Sequence, residues 1–461
     1  MATTSTFAHI NKAISLAGFC PEVSHGNKNV KLEASGGSTT TITVTTAGSG
    51  RDDANLANAP ADFFNDAVVY WINGAMAGTV YNVTDFAFSD PTATFTVDTM
   101  SGTPSSGDDF FVFFPMPVEN FSMSPETEDL PRDFHRLSLD PPSSVKGLEK
   151  SSGSCDLEFP GLSTTLGNGA TAALDRTSQI MLCLGSRRAY AGTTVSGSGS
   201  TTTVVDVNDA SNFAVDDMVM IGGEVARITA IDTASTPDNI TLTPALASAP
   251  ADTTEVYGAE VITPQDTGQR TCTWLWYQDD RLVETQGNVL NFGLSGEFGQ
   301  KAMAQLDWDG EEFLNEDAVS LDGTQLDKQP IPYVTGRAYF GSTQLQLNSF
   351  EFDLGQGRAE LRDTEAGIRH FVRERRATLK MVFRDVNVTP IETWQSSGTK
   401  QRCLLQIGNT AGNTIAIEGW CMIGDPIATA DVGETQYWDA TFFFFDDQTS
   451  QTMTKPRIAR F

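Results

Sequence analysis

The sequence predicts a mainly β protein: two tandem β-sandwich or barrel units, each with a short helix, plus two small inserted β domains. Three observations lead to this fold class. The 461 residues include 40 Gly and are rich in Thr, Ser, Val and Phe, which favours strands joined by turns. Several segments alternate apolar and polar residues with a period of two, which is typical of half-buried strands. Finally, two kinds of segment occur twice along the chain.

The shorter repeat predicts the two inserted β domains, at 34–116 and 191–260. Both begin with a Ser/Thr-rich run that turns into alternating apolar residues, and both contain a later alternating strand, at 94–98 and 239–243. Domains of this size are marginal alone, whereas long insertions into loops cost little free energy. We therefore expect both blocks to be insertions into loops of a host fold.

The longer repeat predicts the host itself. An N-terminal arm occupies 1–33, a first unit occupies 117–190 and 261–327, and a second unit occupies 328–461. In both units a strand is followed by a short helix, a strand, a turn, a strand, a glycine-marked loop and a last strand. The host is therefore expected to be two similar β-rich units in tandem.

One short helix is expected in each host unit. Residues 171–181 have apolar positions at helical spacing, which predicts the helix of the first unit. Residues 390–394 are the shorter counterpart, and Pro390 suits the first turn of a helix because its missing N–H needs no partner there.

The net charge of −29 is the second strong signal. A protein that grips nucleic acid needs Lys and Arg to replace counterions, so this acidity argues against such a grip. It suits a passage through which a polyanion slides without adhering, and it equally suits a merely soluble surface.

The cysteines and the N-terminus indicate folding in a reducing compartment. The 6 Cys residues are scattered without a C-x-x-C pair, which predicts reduced, buried thiols. Residues 1–6 lack the basic and apolar regions of a secretion signal. No segment approaches the roughly 20 apolar residues of a membrane-spanning helix, so we expect no membrane partner.

No catalytic or metal-binding constellation is evident. The 4 His residues lie far apart without metal-ligand spacing. Asp307, Asp309 and Gly310 superficially resemble a calcium loop, but Glu312 and Ala318 stand where that loop needs Gly and Glu. We expect a protein without enzymatic activity, cofactor or metal.

The host units resemble the major tail tube proteins of long-tailed, siphovirus-like bacteriophages. The best matching stretches are 153–159, 288–309 and 413–445, where an outer strand precedes a polar loop and a last alternating strand. The resemblance covers roughly 118–188 and 261–461 and excludes the inserted blocks. It is a resemblance of architecture and rests on no diagnostic motif.

The resemblance implies a structural virion protein. In that family a β-sandwich flanked by a helix joins its neighbours side by side in a ring with a continuous inner β-barrel, and rings stack into a tube for DNA ejection. The usual ring has six tube domains, so a chain with two implies three chains per pseudo-sixfold ring. The other implied partners are tape-measure, terminator and baseplate proteins. DNA would pass through without specific binding, and the tail would assemble in the cytoplasm of the host bacterium, with the inserts projecting outward.

Two groups of residues are candidates for assembly. Guanidinium groups pair well with carboxylates of a neighbour, and a continuous Phe run indicates a strand buried on both faces. The residues expected at contacts between subunits are Arg369, Arg373, Arg375, Arg376, Phe442 and Phe444. Carboxylates facing a channel would repel DNA, although the same stretch also suits a plain solvated loop. The residues expected in this lumen-facing or inter-ring acidic loop are Asp307, Asp309, Glu311, Glu312 and Glu316.

Three alternative functions stay open. A baseplate hub or distal tail ring uses a related fold without indefinite stacking. A secreted β-modular adhesin or carbohydrate-binding protein suits the acidic, Thr-rich composition, although no secretion signal is present. An enzyme with an unrecognised site is the third.

Overall fold

The computed structural model of the chain describes most of its residues. These are 15–22, 30–46, 53–130, 145–162, 164–170, 174–266, 269–278, 281–317, 333, 335–363, 367–384, 388–424, 428–432, 435–445 and 455–461. Strands make up 60% of the chain and helices 5%, so the mainly β class is confirmed.

The strands and helices follow one another in four groups. The N-terminal group is β1 Ser15–Pro21, β2 Lys31–Glu33, β3 Gly36–Gly37, β4 Thr41–Thr45, a 3-10 helix Asp53–Asn58, β5 Val68–Trp71, β6 Val80–Ser89, β7 Thr92–Val97 and β8 Asp109–Met116. The next group is β9 Val118–Leu130, β10 Val145–Glu158, α1 Arg176–Leu184 and β11 Gly185–Ala189. A separate six-stranded sheet consists of β12 Thr193–Thr194, β13 Val204–Val207, β14 Met218–Ile221, β15 Glu224–Asp232, β16 Asp238–Thr243 and β17 Glu255–Tyr257.

The remaining elements complete the chain. After the six-stranded sheet come β18 Glu260–Pro264, β19 Cys272–Gln278, β20 Arg281–Glu297, β21 Met303–Gly310 and β22 Glu312–Asp317. The last group is β23 Gly336–Phe340, β24 Thr343–Asp353, β25 Gln356–Asp363, β26 Gly367–Arg375, β27 Thr378–Arg384, α2 Val388–Ser397, β28 Gln401–Thr410, β29 Asn413–Ile423, β30 Ala428–Val432, β31 Thr435–Phe444 and β32 Arg457–Arg460.

One antiparallel sheet runs through the middle of the molecule. Its order is β9, β10, β21, β20, β24, β27, β31 and β30, and each neighbour pair is joined by backbone hydrogen bonds. β20 and β24 form the joint, from Gly293 opposite Asp353 to Glu297 opposite Ser349. Strands from distant parts of the sequence therefore share one eight-stranded sheet.

The same pairing order occurs twice. In the first part the order is β9, β10, β21, β20, β19 and β1. In the second part it is β24, β27, β31, β29, β28 and β23. Helix α1 lies between β10 and β19 along the chain, and α2 lies between β27 and β28. Each part thus has two layers of strands. In each part the helix follows the second strand of the pairing order, β10 or β27.

The first part contains two segments that have no counterpart in the second part. β23 pairs with β24 through a tight turn, whereas β1 pairs with the end of β8, which runs into β9 with only Pro117 between them. Strands β2 to β7 therefore occupy the place of that turn. The six-stranded sheet lies between β11 and β18, which pair with each other. Residues 15–21 of the predicted N-terminal arm form β1, which is inside the sheet between β8 and β19.

The two helices begin and end for identifiable reasons. Asp175 caps α1, because its carboxylate accepts a hydrogen bond from the Ser178 N–H at 2.8 Å. The helix therefore begins at Arg176 and continues to Leu184, and residues 171–173 of the predicted helix lie outside the described residues. α2 is longer than predicted, with Pro390 in its first turn and Gly398 just past its end at φ 59°.

A large hydrophobic core lies between the layers. Trp274 and Trp308 stack with ring centroids 4.7 Å apart, and Phe121 packs against Trp308 at 5.7 Å. Gly153 on β10 makes room for this cluster, because a Cβ there would lie 2.4 Å from the Trp308 ring. A second core joins the six-stranded sheet to the outer layer of the second part, including Leu404 on β28.

Strand β32 ties the parts together through buried charges. It lies between β18 and β29, and the side chain of Arg460 is fully buried. Its guanidinium bonds Asp175 at 2.8 Å and Glu260 at 2.8 Å, so the cap of α1, β18 and β32 share one ion cluster. Arg457 likewise pairs with buried Glu418 on β29.

Candidate functional site: an acidic sheet face between two open edges

The eight-stranded sheet has one apolar face and one polar face. On β21, Leu306 and Trp308 are buried in the core, and Gln305 points the opposite way because successive side chains of a strand alternate. The strand registers extend both faces across the whole sheet. The polar face includes Glu119, Asp156, Glu158, Asn291, Ser295, Glu297, Gln305, Asp307, Asp309, Glu351, Asp353, Lys380 and Asp439.

This polar face is strongly acidic, and its lysines are occupied. The ammonium group of Lys301, at the rim, lies 2.6 Å from Glu119 and 2.8 Å from Glu158. Lys380 pairs with Asp439 at 3.4 Å. Glu297 and Glu351 form no ion pair within the part of the chain that the structure describes. A negatively charged face with no spare lysine repels polyanions.

The predicted acidic loop is wrong as a loop, because its residues belong to two strands. Asp307 and Asp309 lie on β21, where they alternate with the buried residues, and Glu312 and Glu316 lie on β22. The backbone N–H of Glu311, between the strands, donates to the Gln286 carbonyl at 2.8 Å. The side chains of Glu312 and Glu316 fall outside the described residues. The alternation of Leu306 and Trp308 with the two aspartates was the sequence signal for a strand.

Arg358 binds the two predicted aspartates, and sequence reasoning missed it. Its guanidinium lies 2.6 Å from Asp307 and 2.9 Å from Asp309. It belongs to the β25–β26 hairpin, a separate two-stranded sheet that packs across β20, β21 and β10. The hairpin of the second part therefore holds the polar face of the first part. The sequence contains no local signal for this contact, because Arg358 and Asp307 are 51 residues apart.

His370 belongs to β26 of the same hairpin, and its side chain is buried. Burial lowers its pKa and outweighs the opposing effect of Asp309 and Glu360 nearby. At the exposed end of β9 and β10, the Ser152 hydroxyl lowers the pKa of Glu126, which also binds Lys150. The hairpin contact thus holds a neutral imidazole, whereas the Glu126 carboxylate stays ionised at neutral pH.

The predicted arginine cluster is divided by the structure. Arg375 bonds the Gln265 carbonyl at 2.8 Å and Asp266 at 3.4 Å, so it serves its own chain. Arg376 is exposed and pairs with Glu374 at 3.1 Å. Arg369 and Arg373 are exposed and form no ion pair with a described residue. Only Arg369 and Arg373, on β26, remain candidates for the contact between subunits that the sequence predicts.

The phenylalanine run also divides. Phe442 is fully buried in its own core, with its ring 5.4 Å from Phe340, so its prediction as a contact between subunits is wrong. Phe444 is half-buried and packs 5.9 Å from Phe352. The reason is strand alternation: these two rings face the core, and Phe443 and Phe445 lie on the opposite face.

The sheet ends in two open edges. Among the described residues, β9 is hydrogen-bonded to β10 alone and β30 to β31 alone. In the eight-stranded order β24 begins the second half as β9 begins the first, and β20 ends the first half as β30 ends the second. β24 and β20 are bonded to each other, whereas β9 and β30 have no such partner among the described residues. Unpaired N–H and C=O groups on an edge strand are a template for another strand.

Comparison with protein-family models finds no family that matches this chain, and comparison with curated proteins finds no significant match. In the described ranges, no helix is both long and apolar enough to cross a membrane, and no group of three or more His, Cys, Asp or Glu residues is arranged to hold a metal ion. All 6 cysteines are free and buried.

Proposed function

We propose that this chain is a structural virion protein, the major tube subunit of a long, flexible, non-contractile bacteriophage tail. It polymerises into stacked rings that form a conduit for DNA ejection and has no catalytic role. Its first and second parts are two tandem tube-like units. Strands β3 to β8 and the six-stranded sheet are the two inserted domains. In this proposal it assembles in the cytoplasm of the host bacterium and meets tape-measure, terminator and baseplate proteins in the tail.

The main support for the proposal is the edge-to-edge pairing of β20 with β24 within one chain. β20 of the first unit and β24 of the second unit pair edge to edge, and the corresponding strands at the two ends of the sheet are open. A second copy can repeat the same joint by placing its β9 beside β30. Because the two edges differ, this contact is heterologous, and such contacts close into rings when the rotation permits.

The repeat within the chain sets the expected ring. Two units per chain give six units in a ring of three chains, so junctions inside chains alternate with junctions between chains. Three copies close every edge of the sheet, which removes the risk of uncontrolled strand pairing. A ring of three is therefore the smallest pseudo-sixfold assembly.

The acidic face suits the inner wall of such a tube. Duplex DNA carries one negative charge per ~1.7 Å of axis, so unpaired lysines on the wall would hold it. Lys301 and Lys380 are each bound to carboxylates, and Glu297 and Glu351, which form no ion pair with any residue that the structure describes, repel phosphate. Away from the β25–β26 hairpin, which carries the exposed Arg369 and Arg373, the duplex can then slide without specific binding.

The position of the six-stranded sheet suits an external insert. It packs on the outer layer of the second unit, away from the acidic face, and the Val225 N–H donates to Gln406 Oε1 at 2.9 Å. A salt bridge between Arg337 and Glu224 at 2.6 Å holds the same contact. We therefore place this insert on the outside of the tube.

Negative-stain microscopy of the purified chain tests the proposal. The tube predicts filaments of constant diameter with a central channel. Single closed rings would support the baseplate hub or distal tail ring instead. Monodisperse monomers across a range of concentrations and salt would overturn both, and glycan-array binding by such monomers would favour the adhesin.

A further inference from the structure

A groove of ≈ 320 Å³ lies where the six-stranded sheet meets the first and second parts of the chain. It is bounded by the β14–β15 turn, the turn after β20 and the end of β28. Ligand pockets typically have volumes of about 300–1,000 Å³ and often form between domains. The groove is at the lower end of this range, so it suits a small molecule rather than a protein segment.

A buried amide holds the walls of this groove together. Gln406 is buried, and its Nε2 donates to the carbonyls of Gly223 and Gly408 at 2.8 Å each. Its Oε1 accepts the Val225 N–H at 2.9 Å, so one side chain joins the β14–β15 turn to the end of β28. The Gly408 N–H in turn donates to the Thr335 carbonyl at 2.8 Å. The groove is therefore formed in the unliganded chain, as ligand sites usually are.

Tyr333 lines the groove, and its hydroxyl forms no hydrogen bond with any residue that the structure describes. The residue is only 1% exposed. Its backbone is fixed to the turn after β20, because its N–H donates to the Gln300 carbonyl and its carbonyl accepts the Gly299 N–H, both at 2.8 Å. Burial raises the pKa of the hydroxyl, which therefore stays protonated and can donate. A buried hydroxyl without a partner is costly, and a ligand that accepts its hydrogen bond removes that cost.

Phe298 adds an exposed aromatic wall. Its side chain is 58% exposed, the largest fraction of any large apolar side chain that the structure describes. Its ring meets the Tyr333 ring edge to face at 6.3 Å, and its N–H donates to the Asn348 carbonyl at 2.8 Å, so its position is fixed. An exposed aromatic face beside a polar groove marks a contact site for the apolar face of a ligand.

An ion pair within the lining indicates the charge of that ligand. The Arg337 guanidinium lies 2.6 Å from the Glu224 carboxylate, and both side chains line the groove. An anionic ligand would be repelled by Glu224 and a cationic ligand by Arg337. A guanidinium only donates hydrogen bonds and a carboxylate only accepts them, whereas a hydroxyl group does both. The pair therefore favours an uncharged ligand that carries several hydroxyl groups.

We propose that this groove binds a neutral saccharide of one or two sugar rings. The C–H face of one ring packs against Phe298, and an oxygen of the sugar accepts the hydrogen bond of the Tyr333 hydroxyl. Further hydroxyl groups of the sugar bond to Arg337 and Glu224. The site uses neither the open edges β9 and β30 nor the acidic face, so it does not depend on the proposed tube.

Saturation-transfer NMR on the full chain tests the site, with glucose, galactose, mannose, N-acetylglucosamine, maltose and lactose as probes. At least one of these sugars should receive saturation at its ring C–H protons. Tyr333→Phe should raise the dissociation constant of that sugar about tenfold, because the bound sugar loses one hydrogen bond. The same variant should keep the thermal unfolding temperature of the unmodified chain, since the hydroxyl has no partner to lose among the described residues.

A second variant and a matched control locate the bound sugar. Phe298→Ser should weaken binding as Tyr333→Phe does, whereas Val215→Ser should leave it unchanged, because Val215 is 50% exposed but does not line the groove. Binding that survives both groove substitutions unchanged would place the sugar elsewhere and overturn the proposal. The absence of saturation transfer to every neutral sugar would also overturn it, and so would tighter binding of glucuronic acid or glucosamine than of glucose.

Discussion

At the scale of single residues, a few side chains hold contacts that no neighbour in sequence supplies. Arg460 joins Asp175 and Glu260 in a fully buried ion cluster, and Gly153 leaves space for the Trp308 ring. Removing one partner of a buried ion pair strands the others in a medium that solvates them poorly. Stability is therefore concentrated at these positions, which carry no role in the proposed assembly.

Arg460→Met should lower the free energy of unfolding by about 3–5 kcal/mol, because Asp175 and Glu260 lose their buried counter-charge. Chemical denaturation measures the change. Arg376→Met is the control: its side chain is 78% exposed, and the loss of its pair with Glu374 should cost less than about 0.5 kcal/mol. Equal effects of the two substitutions would contradict the buried cluster.

Gly153→Ala should destabilise the chain by about 1–3 kcal/mol, because the new methyl group would lie 2.4 Å from the Trp308 ring. Near-ultraviolet circular dichroism should change as well, since the tryptophan pair must shift. Gly102→Ala is the comparison, because a Cβ there has no neighbour closer than 3.6 Å. An unchanged tryptophan signal in Gly153→Ala would mean that the ring does not pack against this glycine.

At the scale of elements, the sequence predicted local structure better than partners. The alternating segments 94–98 and 239–243 correspond to β7 and β16, and both helices are present. Periodicity reports which face of a strand is buried, but it does not report which strand lies beside it. The pairing of β20 with β24 and the grip of Arg358 on Asp307 therefore could not be read from the chain. The charges of the acidic stretch favour a loop, whereas the alternation of Leu306 and Trp308 with Asp307 and Asp309 favours the strand that the structure shows.

Arg358→Ala should loosen the β25–β26 hairpin, because the substitution removes the salt bridges that join the hairpin to Asp307 and Asp309. Hydrogen exchange of the β25 and β26 amides should accelerate about tenfold, which corresponds to roughly 1.4 kcal/mol. Arg362→Ala is the control, because its pair with Glu360 lies within the hairpin. If both variants exchange alike, the hairpin is not held to the sheet through Arg358.

At the scale of the whole molecule, the repeated pairing order is the basis of the proposed ring. The chain already contains one edge-to-edge joint, between β20 and β24, and leaves the corresponding edges β9 and β30 open. In the proposed tube, β9 and β30 are the strands that would close the ring.

The most direct measurement is an averaged cross-section of the assembled filament by electron cryomicroscopy. The proposed tube requires three chains per ring, each contributing eight strands to a closed inner sheet, with the Glu297 and Glu351 side chains toward the channel. A ring of six complete chains, or a ring in which the second unit lies outside the inner sheet, would contradict it.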